Sequence, residues 1–300
     1  MPALSCLIAA RDPSTRFVFD ADGLPLDERV DFAGLSASSV TYRLLRDVEA
    51  QAIRLADVVL TRSIKAVDIL HARAGAGTVL GKFHVVTNGR DAEIFKPSDA
   101  EQSALTRREL GLSAGAPLLV YAGSLGAQYC MEEMLRVFAL IRERRPDAHW
   151  LILTGSPEAV QPALGRHPQL QGNITTRKVS PQTVPQYLAC ADLGLALRQP
   201  SFSMQAVAPI KLGEYLLCGL PVLATADIGD TDAITVEVGC LLHRMDEVAL
   251  QAAANWFVDS VLPTREAYRS SCRAAGLNRF SLEASASFYR NAFESLKGAA

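Results

Sequence analysis

The stretches PLLVYAG at residues 117–123 and HWLILTG at residues 149–155 decide the fold class of this chain. Each is a short apolar run that ends in a glycine, and a helical pattern separates the two. This alternation is typical of βαβ units and a parallel sheet. Further strands of the same block are predicted at 173–179, 193–198, 220–225 and 238–243. The sequence therefore predicts a complete, doubly wound sheet of six strands in an α/β protein.

A shorter block of the same pattern precedes this sheet. Its predicted strands are RFVFDA at 16–21, ADVVLT at 56–61 and KFHVVTNG at 82–89. Between the first two strands, apolar residues recur at helical spacing and predict a helix with one apolar face. These residues are Val40, Leu44, Val48, Ala52 and Leu55. Three parallel strands leave a Rossmann-like domain incomplete, so we expect a partner or further upstream strands to cover its apolar surface.

A polar stretch that begins at Lys96-Pro97 separates the two blocks and predicts a domain boundary. We expect a partial N-terminal Rossmann-like domain over 1–97 and a C-terminal Rossmann-like domain over 98–280. The segment LEASASFYRNAFESL at 282–296 has the pattern of an amphipathic helix. We expect the last part, 281–300, to pack back toward the first domain.

Composition limits the classes of function. The 30 basic and 32 acidic residues nearly cancel, so no overall field favours nucleic acid or an anionic membrane, and an anion must be bound locally. No segment approaches the ~20 apolar residues of a membrane span, and the apolar start of the chain lacks the basic region of a signal peptide. We expect a cytoplasmic protein, with peripheral association at the inner face of a membrane left open.

The cysteines and histidines show no spacing typical of metal sites or disulfide frameworks. The six cysteines are expected to be reduced core thiols: Cys6, Cys130, Cys190, Cys218, Cys240 and Cys272. The acidic residues Asp20, Asp22, Asp27 and Glu28 crowd one loop, but their spacing is not that of a calcium loop. A solvated acidic loop is favoured there over a metal site, and the sequence lacks a P-loop and a Gly-x-Ser-x-Gly elbow.

The segment APIKLGEYLLCGLPVLATADIGD at 208–230 is the strongest candidate for binding chemistry. Pro209 is predicted at the first position of a helix that ends near Cys218-Gly219. The unpaired N–H groups of a helix start and the cation of Lys211 in its first turn suit a phosphate group. Glu214 follows one turn later on the same face. It either accepts hydrogen bonds from sugar or ribose hydroxyls or forms a surface ion pair with Lys211.

Other candidates lie just after predicted strands. Gly123-Ser124 allows a diphosphate to approach the backbone, although tight turns use glycine for steric reasons alone. Arg198 can bind a phosphate with two parallel hydrogen bonds. Arg177 and Lys178 fit solvated surface cations at least as well. Because ligands of open α/β sheets lie beyond the carboxyl ends of the strands, all these residues are predicted on one edge of the sheet.

Several segments resemble glycosyltransferase family 4 and its relatives with the GT-B fold. VTNGRDAEIFKP at 86–97 is similar to the segment that ends the first domain in that family, and PIKLGEYLLCGLPVLAT at 209–225 is similar to its donor-binding helix and following strand. The resemblance implies two Rossmann-like domains that face a cleft, the N-terminal one incomplete here. It also implies that Lys211 contacts the donor diphosphate, that Glu214 contacts ribose, and that Gly123 and Ser124 line the cleft.

The resemblance implies a hexosyltransferase-like enzyme of polysaccharide biosynthesis. Such an enzyme transfers a sugar from a nucleotide-diphosphate sugar to a glycan or lipid-linked acceptor, usually with retention and without a metal or other cofactor. Lys211, Glu214 and Arg198 are then the expected catalytic residues. The expected donor-binding residues are Gly123, Ser124, Arg177, Lys178, Pro209 and Ile210.

The chain departs from the family pattern at several places. Asp22 stands where members usually have an arginine, and the family's N-terminal glycine-rich loop and first strands have no counterpart before Met1. Many members have a second glutamate eight residues before the position of Glu214, where this chain has Ala206. Many also carry an Arg and a Lys in the loop where this chain has Ala127, Gln128 and Tyr129. Two other classes therefore stay open. One is a non-catalytic or truncated nucleotide-sugar-binding module, and the other is a nucleotide-sugar epimerase or hydrolase on the same fold.

Overall fold

The computed structural model describes residues 15–113 and 115–296. Within them the chain forms two parallel sheets, one of three strands and one of six. The strands of the first sheet are β1 Val18–Asp20, β2 Val58–Thr61 and β3 Phe83–Val85. Those of the second sheet are β4 Leu118–Ala122, β5 His149–Leu153, β6 Ile174–Arg177, β7 Leu193–Ala196, β8 Val222–Thr225 and β9 Gly239–Leu242.

Helices alternate with these strands. The α-helices, numbered in chain order within the described residues, are α1 Pro25–Ala33, α2 Val40–Leu55, α3 Ile64–Ala74, α4 Ala100–Glu109, α5 Met131–Arg144, α6 Gln161–Leu164, α7 Val184–Cys190, α8 Ile210–Leu217, α9 Thr231–Thr235, α10 Glu247–Trp256, α11 Arg265–Phe280 and α12 Leu282–Glu294. A short 3-10 helix at Ser203–Ala206 follows β7. In the segments that the structure describes, no helix combines the length and the apolar character needed to span a bilayer.

The second sheet has the strand order β6-β5-β4-β7-β8-β9. All its neighbouring strands pair in parallel, and β4 contacts β7 through the pairs Leu119 with Leu193 and Val120 with Gly194. The order of the strands reverses between β4 and β7, which makes their carboxyl ends the topological switch point of the sheet. The prediction of a doubly wound, six-stranded sheet is confirmed.

The first sheet, of order β1-β2-β3, is covered on both faces, and residues distant in sequence contribute to each. On one face α12 packs against β2 and β3 and buries Ala292 completely beside Val58 and Leu60. On the other face Ala206, from the 3-10 helix after β7, is fully buried in a cluster with Ile53. Cover for these three strands thus comes from within the chain.

The predicted apolar face of α2 is largely wrong. Val40, Leu44 and Leu55 are 63%, 60% and 59% exposed, whereas Ala52 and Ile53 are fully buried. The helix turns the face with Ala52 and Ile53 toward the core, and this leaves Val40, Leu44 and Leu55 on its exposed side. Helical spacing alone does not distinguish these two orientations.

The cysteine prediction is confirmed for four thiols. Cys130, Cys190, Cys218 and Cys272 are free and buried, and burial raises the pKa of each, to about 11 for Cys190 and about 12 for the others. Cys240 is free and half-buried. The apolar start of the chain through residue 14, with Cys6, lies outside the described residues, as do residues 297–300.

The chain returns from the second unit to the first beside Arg90. The amide of Arg90 donates to the carbonyl of Phe280 at 2.7 Å, and that of Leu282 donates to the carbonyl of Arg90 at 3.0 Å. A glycine is required at position 89 because the backbone there lies close to α12: a Cβ atom on Gly89 would lie 2.7 Å from Cβ of Ser285. The predicted bounds of the three domains stay predictions.

Candidate functional site

A cavity of about 460 Å³ lies between the two sheets, at the carboxyl ends of their strands. The three-stranded unit contributes Asp22, Gly23, Glu28, Arg62 and Asn88 to its lining. The six-stranded unit contributes Ala122, Gly123, Ser124, Gln128, Tyr129, Arg198, Met204, Ala206, Val207, Ala208, Ile210, Lys211 and Glu214. Six of the nine predicted site residues therefore line one cavity.

The position of the switch point in the larger sheet explains why these predicted residues line the same cavity. Gly123 follows β4 and Arg198 follows β7, and these two strands are neighbours. The helix α8 begins at Ile210, one residue later than predicted, with Pro209 at its N-cap position. Its first turn carries Lys211 into the same cavity. Residues from three separate parts of the sequence thus converge on one point.

Lys211 is the most unusual side chain of the cavity. It is 8% exposed, and its ammonium nitrogen has no hydrogen-bond partner among the described residues. The nitrogen lies 4.0 Å from the ring centroid of Tyr121 and 4.3 Å from that of Tyr129. Burial, helped by the charge of Arg198, lowers the pKa of Lys211 to about 7. Such a cation lacks an anionic partner, which a bound phosphate would supply.

Gly123 is the backbone position that makes room for this ammonium group. Its φ angle is +147°, in the range that favours glycine, and a Cβ atom there would lie 3.1 Å from Nζ of Lys211. A side chain at this position would therefore occupy the space between the backbone and the cation. The glycine turn has a role in the cavity beyond the steric one that a tight turn requires.

Glu214 pairs with an arginine of the first unit. Its Oε1 accepts a hydrogen bond from Nε of Arg90 at 3.0 Å, across 124 positions of the chain. The alternative of a surface ion pair between Glu214 and Lys211 is wrong, because Lys211 is buried against aromatic rings. Burial raises the pKa of Glu214, and the hydrogen bond from Arg90 opposes that rise. The carboxylate thus links α8 to the domain junction.

Tyr215 fixes α8 relative to the sheet. Its hydroxyl accepts a hydrogen bond from the amide of Ala122 at 2.9 Å and donates to the carbonyl of Leu195 at 3.3 Å. The side chain is fully buried between the helix and the two central strands. This contact explains why Lys211 and Glu214, on the neighbouring turns, hold defined positions at the cavity.

Three predicted site residues do not line the cavity. Arg177 ends β6, where it donates to the hydroxyl of Tyr187 at 3.2 Å, and Lys178 is exposed beside it. Because β6 is an edge strand two positions from β4, its end lies roughly 10 Å from the switch point along the sheet. Pro209 lines a different cavity, on the other side of Arg62.

Arg62 is a cavity residue that the sequence analysis missed. It follows β2, is 8% exposed, and pairs with Asp20 and Asp22 at 3.0 Å each. The argument used for Arg198 applies to it equally, since it too follows the carboxyl end of a buried strand. Asp20, Asp22 and Glu28 are nonetheless exposed, as predicted for a solvated acidic loop. Asp27, 4% exposed, departs from that prediction and pairs with Arg73 at 2.8 Å.

The described residues contain no group of three or more His, Cys, Asp or Glu side chains arranged to hold a metal ion. The cavity is lined by three cations, Arg62, Arg198 and Lys211, and by three carboxylates, Asp22, Glu28 and Glu214. A buried ammonium, a guanidinium, a helix start and a glycine turn together suit an anionic, phosphate-bearing ligand.

A doubly wound parallel sheet and a smaller parallel sheet, with a cavity between them at the carboxyl ends of their strands, are the architecture of the two-domain α/β folds called GT-B. Residues 116–260, just under half of the chain, match the family model described as Glycosyl transferases group 1.

Two curated proteins similar to this chain are named as glycosyltransferases. The chain is 29% identical over 194 residues to TuaH of Bacillus subtilis (strain 168), which is named as a candidate glycosyltransferase of teichuronic acid biosynthesis; the match covers 63% of this chain and 45% of TuaH. It is 28% identical over 218 residues to the D-inositol 3-phosphate glycosyltransferase of Nocardiopsis dassonvillei. That match covers 68% of this chain and 48% of the relative. The chain thus spans under half the length of these relatives.

The fold matches solved structures over nearly the whole chain. One is Alr3699/HepE of Anabaena in complex with UDP-glucose, which superposes with a TM-score of 0.71 at 17% identity. The match covers 99% of this chain and 75% of that protein. The likeness establishes the GT-B fold.

Proposed function

We propose that this chain is a glycosyltransferase that takes a sugar from a nucleotide-diphosphate sugar and passes it to a glycan or lipid-linked acceptor. The observation that carries the proposal is the ammonium of Lys211, buried and unpartnered among the described residues, beside the glycine turn after β4. The group 1 domain and the UDP-glucose complex of a protein with the same fold support a nucleotide-sugar as the donor.

In the proposed reaction, the bond between the anomeric carbon and the phosphate oxygen breaks, and its electron pair leaves with the nucleoside diphosphate. A new bond forms between the anomeric carbon and an acceptor hydroxyl, which loses its proton. Lys211 and Arg198 lie at one end of the cavity, where they would stabilise the charge that develops on the departing diphosphate. These cations would serve without a metal or other cofactor.

The other site residues have proposed roles around the donor. Gly123 and Ser124 would approach the phosphates through their backbone, and Ile210 would contribute an amide at the start of α8. Glu214 would accept a hydrogen bond from a ribose hydroxyl while it keeps its pair with Arg90. The wall formed by Asp22, Glu28 and Asn88 would face the acceptor. Transfer with retention at the anomeric carbon, a cytoplasmic location and peripheral contact with a membrane-bound acceptor complete the proposal.

The donor site is tested by the thermal stability of the purified chain with UDP, GDP and ADP. A ligand at ~100 times its Kd stabilises the folded state by about 2.7 kcal/mol, which is a shift of a few degrees in Tm. We expect one nucleotide to give this shift with the wild-type chain and with Lys178→Ala, whose side chain is exposed outside the cavity. Lys211→Ala is expected to lose it. Equal shifts for both variants would contradict the proposed site.

Product analysis separates transfer from its alternatives. Incubation with the nucleotide-sugar that binds, with and without a mixture of glycan acceptors, is expected to give an extended glycan and free nucleoside diphosphate. Free sugar formed equally well without acceptor would indicate a hydrolase, and a changed sugar on the intact nucleotide would indicate an epimerase. Binding with unchanged donor would leave a binding module as the function.

A further inference from the structure

The ring of Tyr129 contacts both cations of the cavity. The Lys211 ammonium nitrogen lies 4.3 Å from its centroid, and the guanidinium carbon of Arg198 lies 4.9 Å from it. The hydroxyl of Tyr129 also accepts a hydrogen bond from Nη2 of Arg198 at 3.3 Å. One side chain thus touches the two groups that would meet the diphosphate of the donor.

The two cations need such a neighbour because they repel each other. The charge of Arg198 disfavours protonation of Lys211, whereas the face of an aromatic ring carries partial negative charge and attracts cations. Tyr121 presents a second ring to Lys211 and stands at 80° to that of Tyr129, with the ring centres 6.0 Å apart. In the absence of an anion, these rings hold the cations together.

The position of the Tyr129 ring is set by the backbone around it. Tyr129 and Arg198 form an isolated antiparallel bridge, and the amide of Gln199 donates to the carbonyl of Gln128 at 2.9 Å. The amide of Tyr129 donates to the carbonyl of Gly126 at 3.0 Å. Because these bonds involve the main chain, replacement of the side chain leaves the loop anchored.

We propose that Tyr129 is a positioning residue of the donor site, whose ring holds the Lys211 ammonium and the Arg198 guanidinium where a diphosphate binds. This inference rests on the function proposed above. It assigns the ring to the diphosphate and not to the base or the sugar, so a ligand with one phosphate group gains less from it than a ligand with two.

The test compares two variants of Tyr129 with a control. Tyr129→Phe keeps the ring and removes the hydroxyl, while Tyr129→Leu removes the ring. Tyr268→Leu alters a half-buried tyrosine that contacts Trp256 away from the cavity. Calorimetry measures the Kd of UDP and of UMP for each chain. If the wild-type chain prefers another base, GDP with GMP or ADP with AMP is used instead.

We expect Tyr129→Leu to weaken UDP binding about tenfold and UMP binding less than about threefold, since two cation–ring contacts are lost. Tyr129→Phe and Tyr268→Leu should bind UDP within about threefold of wild type. An equal loss for UDP and UMP, or a loss in Tyr129→Phe as large as in Tyr129→Leu, would overturn the role of the ring.

The pH dependence gives a readout that a merely structural role would not move. The groups that face the Lys211 ammonium are Arg198, which lowers its pKa, Glu214, which raises it, and the rings of Tyr121 and Tyr129. A diphosphate favours the protonated amine, so the free site takes up a proton on binding above pH 7. The UDP affinity of the wild-type chain should therefore fall by up to about tenfold per pH unit between pH 7.5 and 9.

Removal of the ring takes away its attraction for the ammonium group but also relieves the burial around Lys211. Burial is the largest cause of the lowered pKa of Lys211, so the relief of burial should outweigh the lost attraction and raise that pKa. The fall in UDP affinity should then begin at a higher pH in Tyr129→Leu. An unchanged pH profile together with unchanged affinity would refute the proposal while the donor site stands. Failure of the wild-type chain to bind any of the three nucleoside diphosphates would instead refute the proposed function, and this inference with it.

Discussion

The two sheets of this protein differ in how they obtain their cover. The six-stranded sheet is enclosed by helices that alternate with its own strands, and its central strands β4 and β7 are buried throughout. In the three-stranded sheet, one face is covered by α12 from the far end of the chain, and the other by the unit's own helices α2 and α3 together with Ala206. The first unit is therefore expected to depend on the second more than the second depends on the first.

Part of this cover also forms a wall of the candidate site. The segment that carries Ala206 lines the candidate site and packs against α1 and α3 of the smaller unit. The amide of Ser203 in that segment donates to Asp31 at 2.9 Å, and the hydroxyl of Ser63 donates to the carbonyl of Gln205 at 2.8 Å. The contacts that complete the smaller core thus also hold the two walls of the cavity together.

The largest effect is expected from Asp192→Ala in the larger unit. The carboxylate of Asp192 is 2% exposed, pairs with Arg107 at 2.7 Å and Arg265 at 3.2 Å, and accepts from the amide of Leu118 at 2.8 Å. Its removal leaves buried arginine charge unpaired, at a cost of ~3–5 kcal/mol in the free energy of unfolding. Urea unfolding followed by tryptophan fluorescence measures this loss, because Trp150 and Trp256 both lie in the larger unit.

If the dependence between the units is one-sided, Asp192→Ala should also reduce hydrogen-exchange protection in β2 of the smaller sheet. As a control, Asp259→Ala breaks an exposed pair with Arg144 and should leave the unfolding transition close to that of wild type. Full protection of β2 from hydrogen exchange in Asp192→Ala would show that the smaller unit is stable by itself. It would contradict the expected dependence of the smaller unit on the larger one.

A second, smaller effect is expected from Ala292→Glu in α12. Ala292 is fully buried against β2, so the substitution places a carboxylate in an apolar contact and should cost about 2–3 kcal/mol locally. Hydrogen exchange should rise in β2 and β3, while the tryptophan-monitored transition of the larger unit stays within about 0.5 kcal/mol of wild type. The matched variant Ala286→Glu, on the exposed side of the same helix, should leave both unchanged. A parallel loss in both units would contradict the one-sided dependence.

The same difference between the sheets explains what the sequence could predict. Each of the nine predicted strands is found. For the fully buried strands, such as β4, β5 and β7, the reason is that burial on both faces leaves a continuous apolar run in the sequence. The predicted face of α2 was wrong because helical spacing does not show which of its apolar residues pack against the sheet. The contribution of Ala206 to a core more than 120 residues away in the sequence could not be predicted from local pattern.

Some residues of the candidate site could be predicted from the sequence, and others could not. Gly123 and Arg198 could be found because each follows a strand that happens to lie at the switch point. Arg177 also follows a strand, but that strand, β6, lies at the edge of the sheet. The order of the strands in the sheet cannot be predicted from the local spacing of residues, so the sequence did not show that Arg177 lies away from the cavity. Tyr129 looks like a core aromatic in sequence, and the pair of Arg90 with Glu214 spans 124 positions, so neither contact had a local signal.

The smallest effect is expected at Asp230, where the larger unit caps a helix of the smaller one. The amide of Ile64 donates to both carboxylate oxygens of Asp230, at 3.0 and 2.9 Å, and Lys65 pairs with Asp227 and Asp232 at 3.0 Å each. Asp230→Ala removes a cap and should cost about 1 kcal/mol at the start of α3. Hydrogen exchange at the amides of Ile64 and Lys65 measures this cost.

A cap within one unit provides the matched comparison. Asp246 accepts from the amide of Ala249 at 2.9 Å at the start of α10, inside the larger unit, and Asp246→Ala should also cost about 1 kcal/mol. We expect that loss to stay at the start of α10, because both ends of the contact belong to one unit. Asp230→Ala should also raise exchange at the amide of Ser203, since the caps and the 203–206 segment hold the same two units together. Unchanged exchange at Ser203 would show that the cap stabilises its helix alone, and that the 203–206 segment joins the units without it.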